Sequence, residues 1–268
     1  MGFRVYHEDT FLDGDVHFIV EGLRDEYLKK VLCYPSCSDN IIAERITRLL
    51  EDGFVYILET GSMIHGIRVL GKGYSSVTTV AFHRKHGIGA LKIRRMDSRR
   101  SDLSREAEAM LKAEPSTVVP RLYLYSKDYL FRELVDPVKC LPVERILEES
   151  ITSGDIEAVK NTLHSILTSL YKLDLTRVDH TELNRPEGHL YMCPGGVKII
   201  DWESARISEK PANLTSFSSF ILYRFRFKDI LLKALDIDAG RVLELLREYK
   251  SSYSSSVFNS ILKAMSVV

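Results

Sequence analysis

The sequence lacks an excess of charge of either sign. Lysine and arginine number 37 among its 268 residues, aspartate and glutamate also number 37, and the formal net charge is zero. A strongly basic surface is the usual sign of a protein that binds nucleic acid or an acidic membrane surface. Net charge therefore does not support a nucleic-acid partner.

Long apolar runs are also missing. No run approaches the roughly 20 residues that a membrane-spanning helix requires. The N-terminal segment Met1-Gly2-Phe3-Arg4-Val5 is not followed by an uninterrupted apolar stretch of the signal-peptide kind. We therefore expect no membrane partner and a cytoplasmic location.

Cysteine is scarce, with four residues in the chain. Cys33 and Cys37 flank Tyr-Pro-Ser, a spacing that suits neither a Cys-x-x-Cys redox pair nor a zinc knuckle. Cys140 and Cys193 stand alone, and no nearby cysteine or histidine pair completes a tetrahedral zinc site. The expectation is four free thiols.

What is present is enough apolar material for one large domain or two small lobes, since 45% of the residues are hydrophobic. An apolar stripe predicts a helix that Gly53 ends, and Phe54 begins a strand; the stripe consists of Ile41, Ile42, Ile46, Leu49 and Leu50. We interpret residues 1–62 as an N-terminal helical extension.

Residues 63–136 are rich in strand signals. The segments 67–70, 77–82 and 88–93 predict a meander of three antiparallel strands, and a further strand pair is expected around residues 126–128. A short helix is expected from Arg105 to Lys112.

Residues 137–268 change to helical periodicity. A 3.6-residue stripe runs from Asp155 to Leu173, and further helices are expected at 214–235, 239–250 and 255–265. Strands followed by helices predict an α+β fold with two lobes.

The strand-rich part contains a glycine turn followed by a lysine in an apolar strand, Lys92. Glycines let backbone N–H groups approach phosphate oxygens closely, and an ammonium group neutralises phosphate charge. The turn comprises Gly71, Lys72, Gly73, Tyr74, Ser75, Ser76 and Val77. This pattern predicts a site for a phosphate chain.

In order and spacing, these features resemble the protein-kinase-like superfamily, and they are closest to its atypical RIO-like branch and the archaeal predicted serine/threonine kinases. The resemblance covers residues 69–221. It implies an antiparallel N-lobe and a mainly helical C-lobe. Residues 71–77 match its glycine loop, with Ser76 in place of the third glycine, and Lys92 matches its strand lysine.

The resemblance also implies partners for that lysine and for adenine. Residues 105–111 resemble the helix whose glutamate pairs with the lysine. Glu106 is the predicted partner, and Glu108 is the alternative. Residues 130–135 resemble the hinge strand, where the backbone of Glu133 and Val135 would contact adenine.

The catalytic residues implied by the resemblance lie further along the chain. His180-Thr181-Glu182-Leu183 takes the place of the catalytic loop, so Glu182 stands where the family has an aspartate base. Asp201, in Ile-Ile-Asp-Trp-Glu, matches the aspartate that binds Mg²⁺. His189 takes the place of the family's asparagine as a second metal ligand, with Glu187 as a rival. Imidazole suits Mn²⁺ better than Mg²⁺.

The resemblance thus implies an ATP-Mg²⁺-dependent phosphotransferase, an atypical serine/threonine protein kinase. Two alternatives remain open. One is a nucleotide-binding pseudokinase that serves as a scaffold, and the other is a small-molecule kinase of the aminoglycoside-phosphotransferase type. The phosphoryl acceptor, a protein or a small molecule, is not indicated by the sequence.

Overall fold

The structure is a computed structural model that describes residues 3–7 and 10–268. It is a mixed α+β protein with antiparallel sheets. The chain forms two compact units. The first runs as far as Ala107 and resumes from Arg121 to Val138, and the second comprises Glu108–Pro120 and Lys139–Val268.

The first unit contains most of the strands. They are β1 (Phe3–His7), β2 (Thr10–Phe18), β3 (Phe54–Glu59), β4 (Ser62–Ile64), β5 (Ile67–Val69), β6 (Gly71–Lys72), β7 (Ser76–His83), β8 (Gly87–Arg94), β9 (Leu122–Tyr125) and β10 (Tyr129–Arg132). Its helices include α1 (Glu26–Leu32) and α2 (Asp39–Glu51), and α3 (Ser104–Ala113) begins in this unit and continues into the second.

The large sheet of the first unit has the order β1-β2-β3-β7-β8-β10-β9, with β6 also pairing with β7. Helices α1 and α2 cover one face of this sheet. Ile46 of α2 belongs to the same buried cluster as Phe54, Leu91 and Phe131. Of the stripe that predicted α2, Ile42, Ile46 and Leu49 pack on the sheet, whereas Ile41 is half-buried and Leu50 is exposed.

The N-terminal segment differs from the expected helical extension. It contains α1 and α2, but its strands belong to the large sheet: His17 of β2 is paired with Ile57 of β3, and Ile57 is paired with Ala81 of β7. Pairing between strands joins residues that are far apart in the chain, so local sequence patterns do not reveal it. Here it makes the N-terminal segment part of the large sheet and not a separate helical module.

The expected three-stranded meander also needs correction. Strand β5, at Ile67–Val69, pairs with β4 in a separate hairpin. The position beside β7 is taken by β3 and, at the far end, by the two-residue strand β6. The β7–β8 pair and the β9–β10 pair form as predicted.

The second unit is mainly helical. Its elements are β11 (Leu141–Pro142), α4 (Val143–Ser153), α5 (Ile156–Leu175), β12 (Val178–Asp179), β13 (Leu190–Cys193), β14 (Gly196–Ile199), β15 (Arg206–Ile207), α6 (Asn213–Tyr223), α7 (Lys228–Ala234), α8 (Ala239–Ser252) and α9 (Ser255–Ala264).

Helix α5 forms as its apolar stripe predicts. The Asp155 carboxylate accepts a hydrogen bond from Ala158 N–H and caps the helix N-terminus. The single helix expected at 214–235 is instead α6 and α7, because Phe225 N–H turns back to the carbonyl of Phe220 and ends α6. None of the helices formed by residues 3–7 and 10–268 has the length and apolar character needed to cross a bilayer.

The expectation of free thiols is wrong. Cys33 is bonded to Cys37 across a Cα–Cα distance of 5.5 Å, and Cys140 is bonded to Cys193 across 4.2 Å. The second pair is explained by the register of β11 and β13, which places Leu141 opposite Met192 and so brings the flanking cysteines together. Sequence spacing does not reveal this strand pairing.

Candidate functional site

Lys92 and Glu106 form a buried ion pair in the first unit. Lys92 lies on β8 between Thr78 of β7 and Leu130 of β10, and its Nζ donates to Glu106 Oε1 at 2.8 Å. The two side chains are only 6% and 5% exposed. The predicted pairing with Glu106 is confirmed as a contact, whereas Glu108 is exposed.

The start of α3 explains why Glu106 takes this position. The Asp102 carboxylate accepts a hydrogen bond from Ser104 N–H at 2.9 Å, which lowers the pKa of Asp102 and satisfies an otherwise unpaired amide at the helix N-terminus. Glu106 then lies in the first helical turn, where the helix dipole favours a negative charge. Its neighbour Ala107 is also buried, and this face of the first turn packs inward.

The glycine turn is a tight hairpin between β6 and β7. Gly73 N–H donates to the carbonyl of Ser76 at 2.9 Å, so this amide is already hydrogen-bonded. Tyr74 at the tip is 66% exposed, while Ser75, Ser76 and Val77 are buried. The hydroxyl of Ser76 thus lies inside the unit.

The space beside the backbone of Gly71, where a side chain would begin, is not filled by other described residues. A Cβ built on this residue would meet no described atom within 4 Å. Packing within the described residues therefore does not demand glycine here. An unobstructed backbone is what close approach of a ligand requires.

Tyr34 and Arg95 support the glycine turn. Arg95 donates from its amide to the carbonyl of Ser75 at 2.8 Å and from Nη1 to the carbonyl of Gly73 at 3.0 Å. The ring of Tyr34 lies against two cations, with Lys72 Nζ 4.9 Å and Arg95 Cζ 5.1 Å from its centroid. Neither Tyr34 nor Arg95 was expected from the sequence, because no local pattern links a residue after α1 to the turn.

The expected adenine-binding segment follows β10. Glu133 N–H donates to the carbonyl of Arg121 at 2.8 Å, and its own carbonyl accepts from Arg132 Nη1 at 3.1 Å. The backbone of Glu133 is therefore already engaged within the first unit, although a carbonyl oxygen can accept a second bond. Val135 is half-buried just beyond it.

In the second unit, Glu182, His189 and Asp201 come together. Each offers one possible metal-ligand atom, and these atoms lie within 4.8 Å of one another. His189 Nε2 is 3.4 Å from Glu182 Oε2. Glu187, the rival ligand, is exposed and does not belong to this group in the described part of the chain.

The hairpin β13–β14 brings His189 and Asp201 side by side. Leu190 is paired with Ile199, and the ladder continues through a bond from Ile200 N–H to the carbonyl of His189 at 2.9 Å. Asp201 then adopts a left-handed backbone with φ of 62°. This backbone region is uncommon in residues other than glycine, although aspartate adopts it more readily than most.

His180 lies behind this group and is fully buried. Burial lowers its pKa to about 4, aided by the neighbouring His189 and opposed by Glu182 and Asp201. Its Nε2 lies 3.2 Å from the carbonyl of Ile200. A carbonyl can only accept, so the neutral ring carries its proton on Nε2.

A buried polar network holds the backbone of this loop. Asn213 Oδ1 accepts from His180 N–H at 2.8 Å, and Asn213 Nδ2 donates to the carbonyl of Val178 at 2.7 Å. Asp174 in turn accepts from Asn213 and from Tyr249 Oη. Burial raises the pKa of Asp174 to about 6, although these hydrogen bonds oppose the rise. No local pattern in the sequence reveals this network, since its hydrogen bonds join residues that are 33 to 75 positions apart.

No protein-family model matches the chain, and comparison with curated proteins finds no match.

Proposed function

We propose that the protein is an ATP-dependent phosphotransferase. The observation that carries this proposal is the Lys92–Glu106 ion pair, at 2.8 Å and almost completely buried. Protein kinases use a lysine on a strand of the N-lobe sheet, paired with a glutamate of the following helix, to hold the ATP phosphates. A two-lobed kinase-like fold of the RIO-like type belongs to the same proposal.

Burial of the pair supports a functional reading. An ion pair withdrawn from water gains little net stability, since desolvation offsets much of the attraction. An apolar pair would fill this position at least as well. A lysine held beside a glutamate does, however, present a positioned positive charge to phosphate.

The nucleotide contacts of the proposal lie in the first unit. The turn at residues 71–77 would lie along the phosphates, with the open backbone at Gly71 as the supporting feature. The backbone at Glu133 and Val135 would contact adenine. In this role the Glu133 carbonyl would keep its bond from Arg132 and accept a second one.

The phosphoryl-transfer residues of the proposal lie in the second unit. Asp201 and His189 would hold a divalent ion, which neutralises phosphate charge when bound. Glu182 would orient the acceptor hydroxyl and accept its proton. The three side chains fit this purpose because they gather two carboxylates and an imidazole within 4.8 Å.

A serine or threonine hydroxyl of a protein is the proposed acceptor, with a small-molecule hydroxyl as the alternative. A second candidate function, nucleotide binding without transfer, is favoured by one contact. Glu182 Oε2 lies 3.4 Å from His189 Nε2, so this carboxylate faces a neighbouring side chain of the protein at the place where an acceptor hydroxyl would have to approach it. The protein would then act as a pseudokinase scaffold.

The test separates nucleotide binding from transfer. Isothermal titration measures ATP affinity with Mg²⁺ or Mn²⁺, and γ-labelled ATP reports autophosphorylation, transfer to added protein or aminoglycoside acceptors, and hydrolysis. We expect binding, and we expect Glu182→Gln to lower transfer by about 10²–10⁴-fold at unchanged ATP affinity. Absence of ATP binding would overturn both the kinase and the scaffold functions. Binding without transfer to any hydroxyl would leave the scaffold.

A further inference from the structure

The cluster of Glu182, His189 and Asp201 has a chemistry of its own, apart from any nucleotide. We propose that these three side chains together form a site for a divalent first-row transition-metal ion, in preference to Mg²⁺. Glu182 then acts as a metal ligand, in place of the role as base that the proposed function gives it. The inference deepens the proposed function, on which its catalytic meaning rests, but the metal site is measurable on the nucleotide-free protein.

The three ligands are held by separate backbone features. His189 and Asp201 flank the β13–β14 hairpin and are aligned by the bond between Ile200 N–H and the His189 carbonyl. Glu182 follows the buried His180 and Thr181, which adopts a left-handed backbone with φ of 72°. The three side chains therefore converge from two segments of the second unit.

The Glu182–His189 pair has the spacing of two ligands in a small coordination sphere, and Asp201 lies within 4.8 Å of both. Two ligand atoms that each lie about 2.1 Å from a tetrahedral metal ion are about 3.4 Å apart. The distance from His189 Nε2 to Glu182 Oε2 is 3.4 Å. Adjacent ligands of octahedral Mg²⁺, at about 2.1 Å from the ion, are closer together, at about 2.9 Å.

The donor atoms favour the same class of ion. Two carboxylates supply negative charge that any divalent cation would accept, but the imidazole discriminates. Mg²⁺ prefers oxygen ligands, whereas imidazole nitrogen suits ions such as Zn²⁺ and Co²⁺. Three protein ligands leave one tetrahedral position for water or an oxygen atom of a substrate, as in catalytic zinc sites.

Two structural facts bear on the affinity. His189 Nδ1 is buried and finds no hydrogen-bond partner among residues 3–7 and 10–268, so the outer acceptor that strengthens many metal-binding histidines is missing there. We therefore expect micromolar affinity. The cysteines are all in disulfides, which removes thiolates as competing ligands in the oxidised protein.

The experiment titrates nucleotide-free, oxidised protein with Co²⁺. Binding is followed by visible absorption, by calorimetry and by the fluorescence of Trp202, the single tryptophan, which adjoins Asp201. We expect one equivalent of Co²⁺ to bind with a four-coordinate spectrum, to be displaced by Zn²⁺, and to resist a hundredfold excess of Mg²⁺. An octahedral spectrum, or displacement by equimolar Mg²⁺, would overturn the inference.

Variants identify the ligands. Glu182→Gln and His189→Ala should each weaken Co²⁺ binding by about tenfold or more, since even loss of an outer partner costs that much at many sites. Glu187→Gln, an exposed carboxylate in the same loop, is the matched control and should bind like wild type. His189→Asn distinguishes loss of a ligand from misfolding. This variant should bind Co²⁺ less tightly but Mg²⁺ more tightly, whereas a misfolded protein would bind neither. Unchanged binding in Glu182→Gln would refute its role as a ligand.

The two proposals fail separately. If ATP-Mg²⁺ transfers phosphate but Co²⁺ does not bind, the transition-metal site is wrong and the phosphotransferase stands. If Co²⁺ binds as described but ATP does not, the phosphotransferase is wrong and the metal site stands.

Discussion

Lys92 Nζ and Glu106 Oε1 lie 2.8 Å apart at the junction of β8 with the first turn of α3, and both side chains are almost fully buried. The pair contributes little net stability, but each member depends on the other. Removal of one member takes this contact away from the other, and breaking a buried ion pair in this way typically costs about 3–5 kcal/mol.

This dependence allows stability and nucleotide binding to be separated. Lys92→Met should lower the free energy of unfolding by about 3–5 kcal/mol, measured by urea denaturation. The double variant Lys92→Met/Glu106→Leu should recover most of that loss, because an apolar pair has no charge to desolvate.

ATP affinity should not recover in the double variant when its free energy of unfolding does. The double variant should remain deficient in ATP binding by calorimetry although it is folded. Glu108→Gln, which alters the exposed neighbour, should match wild type in both measurements. Recovery of ATP binding together with stability would show that Lys92 is a structural residue alone.

Tyr34 should act as a positioning residue for the glycine turn. Its ring lies against Lys72 and Arg95, and cation–π contacts are worth about 0.5–1 kcal/mol at exposed sites. Tyr34→Leu should therefore weaken ATP binding by about two- to fivefold, whereas Tyr34→Phe, which keeps the ring, should bind ATP like wild type. Equal affinities for Tyr34→Leu and Tyr34→Phe would contradict this role.

Asp174 should make stability depend on pH. Its pKa is raised to about 6 in the folded protein, from an ordinary value of 3.8. Between these values the folded protein binds more protons than the unfolded chain, so this group's contribution to stability falls as pH rises from about 4 to 6 and is constant above. The contribution amounts to about 3 kcal/mol.

The measurement compares unfolding free energies across this pH range in wild type and Asp174→Asn. The variant should lack the component that falls between pH 4 and 6, and Asp229→Asn, at an exposed carboxylate, should retain it. The contribution of His180 to stability changes in the opposite direction: because its pKa is lowered, it removes stability as pH falls from 6.5 to about 4. The difference between wild type and Asp174→Asn is therefore measured, since the His180 contribution is common to both. Parallel curves for wild type and Asp174→Asn would show that Asp174 titrates normally.

The disulfides should differ in their contribution to stability. Cys140–Cys193 spans 53 residues and Cys33–Cys37 spans four. Loop-closure entropy predicts about 4 kcal/mol for the longer loop and about 2 kcal/mol for the shorter one. Cys140→Ser/Cys193→Ser should therefore lower the unfolding midpoint more than Cys33→Ser/Cys37→Ser.

Alkylation under denaturing conditions, followed by mass measurement, checks that the disulfides exist. Unreduced protein should take up no label, and reduced protein should label at all of its four cysteines. Complete labelling before reduction would contradict the disulfides, and a larger loss for the Cys33–Cys37 variant would contradict the entropic ranking.

Local patterns in the sequence determined much of this protein. The apolar stripes predicted α2 and α5, because helical periodicity follows from backbone geometry within a few residues. A β-branched run predicted β7, and the polar hairpin tip after it predicted β8 as the returning strand. The order of a strand lysine followed by an acidic helix likewise identified Lys92 and two possible glutamate partners.

Only the tertiary structure decided between alternatives that are equal in sequence. Glu106 and Glu108 look alike in the chain, and the rotation of α3 about its axis decides which of them reaches Lys92. The disulfides and the β3–β7 pairing depend on which strands meet across long stretches of chain. Glu182 was assigned as a base from its position in a motif. Its place beside His189 arises where two separate segments converge, and no local periodicity encodes that contact.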